Sequence, residues 1–187
     1  MTAKIRWEAT TLAAVALGLV FWVHLGPTAA LPAHLFLAGI GAPLAVIDLR
    51  EHRLPNWLTL PAYPVSGALL GLAAIADEDS EGAWRALAGM AILIAFYDLI
   101  ARINPTGMGY GDVKFSGVLG LYLGWAGWDA LVVGTLAAFA AGAVVGLALL
   151  ITRRAQWSSS IAFGPFMLAG AVVGILAGAD VGDWYAN

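Results

Sequence analysis

The sequence predicts an all-α membrane protein: a polytopic bundle of about seven transmembrane helices with a glycine-rich loop at its cytoplasmic face. Of its 187 residues, 61% are hydrophobic and only 11% are charged, whereas a soluble domain carries roughly 25% charged residues. The hydrophobic residues form continuous runs and do not alternate with polar residues as they would in barrel strands. The chain has no cysteine, which excludes a disulfide framework, a thiolate metal site and a cysteine nucleophile.

Seven apolar segments come close to the length of about 20 residues that a helix needs to cross the hydrocarbon core of a bilayer. In order, they are Trp7–Leu25, Leu31–Ile47, Leu58–Ala76, Trp84–Ala101, Val113–Trp125, Ala130–Ile151 and Ile161–Ala179. The connections between them are short, so we predict a single domain over residues 1–187. The fifth segment has only 13 residues, which predicts that its cytoplasmic end lines a recess open to water.

Basic residues are distributed unevenly between the two sides of the predicted bundle. With the N-terminus in the cytoplasm, eight of the nine Lys and Arg residues fall on the cytoplasmic side, and only Arg85 falls outside. Acidic residues favour the outer loops, as in Asp77–Glu81. Cytoplasmic loops of membrane proteins are enriched in Lys and Arg, so the pattern predicts a multi-pass protein of the cytoplasmic membrane in this orientation.

Two patterns within the spans predict structure. Gly170, Gly174 and Gly178 are spaced by four residues, and small residues at this spacing allow two helices to approach closely in lipid. Asp98 precedes Arg102 by one helical turn, which predicts an ion pair along the helix.

The stretch Gly107–Lys114, with the sequence GMGYGDVK, combines three glycines with a carboxylate between two apolar segments. A carboxylate close to hydrocarbon is costly and indicates function. Its glycines indicate either positive φ at Gly109 and Gly111 or space for the backbone of a substrate. Asp48 follows the second span and Asp112 precedes the fifth, so both fall at the cytoplasmic side, where we expect them to face one cavity.

Such a pair of carboxylates is suited to acid–base hydrolysis of a peptide bond. Two carboxyl groups about 3 Å apart share one proton, because they do not ionise together readily. The ionised member takes a proton from a water molecule, which attacks the peptide carbonyl, and the protonated member donates to the carbonyl oxygen. The pair titrates as a unit, so the sequence leaves open which aspartate is the base.

Three motifs occur in order at the cytoplasmic side: Asp48 with Arg53-Leu54-Pro55-Asn56, the stretch Gly107–Lys114, and Phe163-Gly164-Pro165-Phe166. Together they resemble the type IV prepilin peptidases, membrane aspartyl proteases with a Gly-x-Gly-Asp signature, over about residues 45–171. The resemblance implies that Asp48 and Asp112 are the catalytic pair. It also implies that further residues shape the site or hold the substrate, namely Gly109, Gly111, Lys114, Arg53, Pro55, Asn56, Gly164 and Pro165.

The resemblance implies a prepilin or pseudopilin substrate, whose short basic leader is removed at the cytoplasmic face. Bifunctional family members carry a methyltransferase portion with cysteine pairs ahead of the first aspartate. This chain has no cysteine, and only Gly26–Ala30 joins its first two spans, so we predict the peptidase-only form. We expect no cofactor and no metal, since His24, His34 and His52 are scattered. The lipid bilayer is an expected partner, whereas nucleic acid is not, because the chain has no basic tract.

The alternative from a different class is a transporter or assembly scaffold that binds a cation or proton through Asp48 and Asp112. A transporter needs a polar path across the membrane, but apart from Asp98 and Asp112 the middles and inner thirds of the spans lack acids. Presenilin-like proteases share Gly-x-Gly-Asp but pair it with Tyr-Asp, whereas Asp48 is flanked by Ile47 and Leu49. These differences favour the prepilin peptidase.

Overall fold

The computed structural model describes residues 7–104, 107–152 and 162–186, and the regular structure in these ranges is helical throughout. The helices are α1 (Trp7–Leu25), α2 (Leu31–Glu51), α3 (Asn56–Ala76), α4 (Ser80–Ile103), α5 (Tyr110–Ala126), α6 (Trp128–Ile151) and α7 (Gly164–Ala186). Helices α1 to α4 and α6 are long and apolar enough to cross a membrane, and α7 is apolar over residues 164–178. The predicted all-α membrane bundle is confirmed.

Two helix boundaries at the site differ from the predicted spans. Helix α2 continues to Glu51 and ends at His52, which adopts a left-handed conformation with φ of 50°. Helix α5 has 17 residues and begins at Tyr110, so Asp112 lies in its first turn and not in the preceding loop. The reason is local, because the Asp112 carboxylate accepts a hydrogen bond from the Gly109 N–H and so satisfies a free donor at the helix start.

Helix α5 lies in the middle of the bundle, in contact with α3, α4, α6 and α7. All its residues from Phe115 to Gly124 are buried. Its glycines allow α4 to approach closely, since a Cβ added to Gly120 would lie 2.5 Å from the Gly89 carbonyl oxygen. Helix α1, in contrast, packs mainly against α2 and exposes most of its surface.

The last two helices form a second closely packed pair. Helix α7 begins at Gly164, whereas the predicted start of this span, Ile161, lies outside the described residues. A Cβ added to Gly170 would lie 2.6 Å from the Ala138 nitrogen, and one added to Gly178 would lie 2.5 Å from the Ala130 Cα. The predicted role of these glycines in helix packing is therefore confirmed.

Candidate active site

Asp48 is held in the last turn of α2 by a contact with the start of α7. Its side chain is buried, with 4% of the residue exposed. The carboxylate Oδ2 accepts a hydrogen bond of 2.8 Å from the backbone N–H of Gly164. Free N–H groups at a helix N-terminus stabilise negative charge, so α7 provides a favourable position for an ionised Asp48.

Gly164 is required at this position because there is no room for a side chain. A Cβ built on Gly164 would lie 2.9 Å from Asp48 Oδ2 and 3.3 Å from Asp48 Cγ. The sequence predicted that Gly164 and Pro165 shape the site. The structure brings Gly164 directly to Asp48, whereas Pro165 is a half-buried residue in the first turn of α7, where proline is well tolerated.

Asp112 is held in the first turn of α5 by the glycine stretch itself. Its Oδ2 accepts a hydrogen bond of 3.2 Å from the Gly109 N–H, and its side chain is half-buried. Gly109 has an extended backbone with φ of −81°, and Gly111 is helical. The interpretation that these two glycines need positive φ is therefore wrong, because both adopt conformations open to any residue.

Gly111 instead allows a close approach between the two segments that carry the aspartates. A Cβ added to Gly111 would lie 3.1 Å from Leu54 Cβ and 3.3 Å from Leu54 N. Leu54 is buried and lies just after the end of α2. In this structure, Leu54 thus occupies the space beside Gly111 that the sequence analysis assigned to the backbone of a substrate.

The segments that carry the two aspartates lie side by side. Leu54, just after the end of α2, lies against Gly111, which directly precedes Asp112. One carboxylate is anchored at the start of α7 and the other at the start of α5. Two carboxyl groups at adjacent helix ends are the kind of groups that acid–base catalysis by a dyad uses.

Lys114 and Asn56 join the start of α5 to the start of α3. The Lys114 Nζ donates a hydrogen bond of 2.9 Å to Asn56 Oδ1, and the Tyr63 hydroxyl donates to the Lys114 carbonyl oxygen. The Pro55 carbonyl oxygen accepts hydrogen bonds from the first turn of α3, including the Thr59 N–H. These hydrogen bonds fix the start of α5, which carries Asp112, against the start of α3.

Arg53 is a predicted site residue for which the structure gives a different partner. Its Nε forms an ion pair of 2.9 Å with Glu51 Oε2, and both side chains are exposed. Asp98 forms the predicted ion pair with Arg102, at 2.6 Å along α4. Asp98 is thus paired elsewhere and is not a third member of the dyad.

An aromatic cluster adjoins Gly164 and includes both phenylalanines of the predicted Phe163-Gly164-Pro165-Phe166 motif, whereas its three other members were not identified from the sequence. It consists of Phe96, Tyr97, Phe139, Phe163 and Phe166, from α4, α6 and the start of α7. Within it, the rings of Tyr97 and Phe139 are 5.6 Å apart, and those of Phe139 and Phe163 are 5.1 Å apart. Tyr97 could have been identified only from the way in which α4 packs against α5, and this packing is a property of the tertiary structure.

Comparison with known proteins identifies relatives of this chain. Residues 35–151 match the type IV leader peptidase family. The chain is 31% identical over 183 residues to a prepilin leader peptidase/N-methyltransferase of Aeromonas salmonicida, covering 97% of this chain and 62% of that protein. It is 31% identical over 150 residues to the leader peptidase HopD of Salmonella typhimurium, covering 80% of this chain and 93% of the relative. No solved structure matches the chain.

Proposed function

Because the chain belongs to the type IV leader peptidase family, we propose that it is an aspartic endopeptidase that removes basic leader peptides from type IV prepilins or pseudopilins. The observation that carries this proposal is the pair Asp48 and Asp112. They come from distant parts of the chain and are each anchored by a backbone N–H at the start of a helix. The segments that carry them are in contact through Leu54 and Gly111.

The geometry supports a general acid–base mechanism. The ionised carboxylate of the dyad takes a proton from water as the water oxygen bonds to the scissile carbonyl carbon. The protonated carboxyl group gives its proton to the carbonyl oxygen, which becomes a hydroxyl group. Collapse of this tetrahedral intermediate breaks the C–N bond, and the leaving amine receives the proton first taken from water. As the C=O bond forms again, one hydroxyl group of the intermediate returns its proton to the other carboxylate of the dyad. The dyad thereby returns to its starting protonation state.

We further propose that this chain cleaves without transferring a methyl group. The Aeromonas salmonicida relative is named as both peptidase and N-methyltransferase, and the chain spans 62% of its length. By the family resemblance, the methyltransferase portion of such bifunctional members carries cysteine pairs ahead of the first aspartate. In this chain, residues 26–30 are all that joins α1 to α2, and cysteine is absent.

The site is proposed to lie at the cytoplasmic face of the inner membrane. Asp48 lies near the end of α2, and Asp112 lies near the start of α5. Arg50 and Arg53 lie beside the first aspartate, and Arg102 lies in the last turn of α4 near the second. A concentration of Arg at one end of a membrane bundle favours a cytoplasmic position for that end.

The test is leader cleavage by purified protein in liposomes, with a prepilin as substrate. Asp48→Asn and Asp112→Asn should each lower kcat by on the order of 10⁴-fold or more, since both members of a catalytic unit are needed. Asp98→Asn is the matched control, because Asp98 is paired with Arg102 on the surface, and it should cleave at the wild-type rate. Near-normal cleavage by either dyad variant would refute the mechanism.

A further inference from the structure

The antiparallel helices α4 and α5 meet in a regular register. A Cβ added to Gly124 would clash with the Arg85 carbonyl oxygen, and one added to Gly120 would lie 2.5 Å from the Gly89 carbonyl oxygen. One turn further along, the Ser116 Oγ lies 3.2 Å from the Leu93 carbonyl oxygen.

Each of these pairs steps back four residues on α5 and forward four on α4. Residues four apart lie on the same face of a helix. The next pair in this series is Asp112 with Tyr97. The register of the two helices therefore places Tyr97 on α4 opposite Asp112 on α5.

The position of the Tyr97 ring is fixed by its neighbours. Tyr97 has 2% of its surface exposed. Its ring lies 5.6 Å from that of Phe139 and 6.3 Å from that of Phe163. Phe163 directly precedes Gly164, whose N–H holds Asp48. The Tyr97 ring therefore packs against the segment that anchors one aspartate while lying opposite the other.

The hydroxyl of Tyr97 differs from those of two other tyrosines inside the bundle. Tyr63 donates to the Lys114 carbonyl oxygen, and Tyr122 donates to the Ala33 carbonyl oxygen and is also hydrogen-bonded to the Ser66 hydroxyl. In the part of the chain that the structure describes, no hydrogen bond joins the Tyr97 hydroxyl to another group, and the helix register places Asp112 opposite it. A tyrosine hydroxyl usually has a hydrogen-bond partner, and two polar groups that do not bond directly are commonly joined by water.

We propose that Tyr97 is a positioning residue of the aspartyl dyad, whose hydroxyl holds the attacking water against Asp112. This inference rests on the proposed peptidase function and extends its machinery beyond the two carboxylates. Tyr97 transfers no proton in this role. It restricts the water to the side of the dyad from which the scissile carbonyl is attacked, which is the contribution of orientation to catalysis.

The test is Tyr97→Phe, which keeps the ring contacts with Phe139 and Phe163 and removes only the hydroxyl. We expect kcat for prepilin cleavage to fall about 10²-fold, comparable to the loss of one preorganised hydrogen-bond donor, with KM and the melting temperature unchanged. The hydrogen bond through water also favours the ionised form of Asp112. Loss of this hydrogen bond should therefore raise the pKa of Asp112, so that kcat/KM begins to fall at a higher pH as the solution is acidified.

Tyr122→Phe is the matched control, because the Tyr122 hydroxyl is bonded at the other end of the bundle. The Tyr122→Phe protein should have a lower melting temperature than the wild type, but each folded molecule should cleave prepilin at the wild-type rate. A Tyr97→Phe protein with wild-type kcat and an unshifted pH profile would overturn the inference. If Tyr97→Phe has wild-type activity while Asp112→Asn is inactive in the same assay, only the role proposed for Tyr97 is refuted. An active Asp112→Asn protein would instead refute the peptidase mechanism itself.

Discussion

The position of Asp48 depends on a single residue that has no side chain. Gly164 lets the start of α7 approach the carboxylate closely enough for a hydrogen bond of 2.8 Å. The space that a methyl group would need is occupied by Asp48 itself, at 2.9 Å from Oδ2. At this residue, the requirement for glycine is steric, because the nearest atoms belong to the side chain of Asp48, which is buried.

We predict that Gly164→Ala displaces the Asp48 carboxylate and lengthens its hydrogen bond to residue 164. Loss of a buried hydrogen bond to a charged group costs about 1–3 kcal/mol, and a misplaced member of the dyad should lower kcat by at least about 10-fold. Prepilin cleavage and thermal unfolding in detergent measure the two effects.

Gly67→Ala is the control for this substitution, because a Cβ at Gly67 meets nothing within 4 Å. Both its activity and its melting temperature should match or exceed the wild type, since alanine favours a helix over glycine. A Gly164→Ala protein with wild-type kcat would mean that Asp48 does not need this contact.

At the level of helices, α4 and α5 hold Tyr97 and Asp112 opposite each other through contacts further along the pair. The most restrictive contact is that of Gly120, whose added Cβ would lie 2.5 Å from the Gly89 carbonyl oxygen and 2.7 Å from the Met90 Cα. These are backbone atoms, so no side-chain rotation relieves the clash. A larger residue at this position must push the two helices apart.

Gly120→Ala should therefore lower the free energy of unfolding by about 1–3 kcal/mol, the usual effect of overpacking. It should also lower kcat, because separating α4 from α5 moves Tyr97 away from Asp112. Gly71→Ala on α3 is the control, since a Cβ there meets nothing within 4 Å. Denaturation in detergent and the cleavage assay check both effects, and wild-type values for Gly120→Ala would contradict the tight contact.

The helices were predictable from the sequence, and the two aspartates were singled out in it, because both signals are local. Long apolar runs mark the spans, and an isolated carboxylate beside a span, such as Asp48 or Asp112, is conspicuous. The start of α5 was misplaced because three glycines predict a loop, whereas the Asp112 side chain caps the helix through Gly109. Tyr97 was missed because its role depends on a neighbouring helix and not on its own sequence context.

The contacts of Gly111 and Gly164 were unpredictable for the same reason. Both glycines were expected to shape the site, but the atoms they accommodate belong to Leu54 and Asp48, which lie far away in the sequence. Hydropathy and motif spacing specify which residues are unusual, whereas the identity of their neighbours depends on how the helices pack.

At the scale of the whole molecule, the elements of the site meet at one end of the bundle. Asp48 near the end of α2 contacts Gly164 at the start of α7, and Lys114 near the start of α5 contacts Asn56 at the start of α3. This grouping follows from the internal contacts alone. The side of the membrane that the site faces is a separate question, and the arginines near this end predict the cytoplasmic side.

The absence of native cysteine permits a direct test of this orientation. Asp77→Cys lies at the end of α3 and Thr152→Cys lies at the end of α6, and both positions are exposed. In intact cells, a membrane-impermeant thiol reagent should label Asp77→Cys. It should label Thr152→Cys only after the membrane is permeabilised, because helix ends alternate between the two sides. The wild-type protein is the blank, and prepilin cleavage by both variants would establish that the labelled molecules are folded. The reverse labelling pattern would place Asp48 and Asp112 outside, where the leader of a prepilin still anchored in the cytoplasm has no access to them.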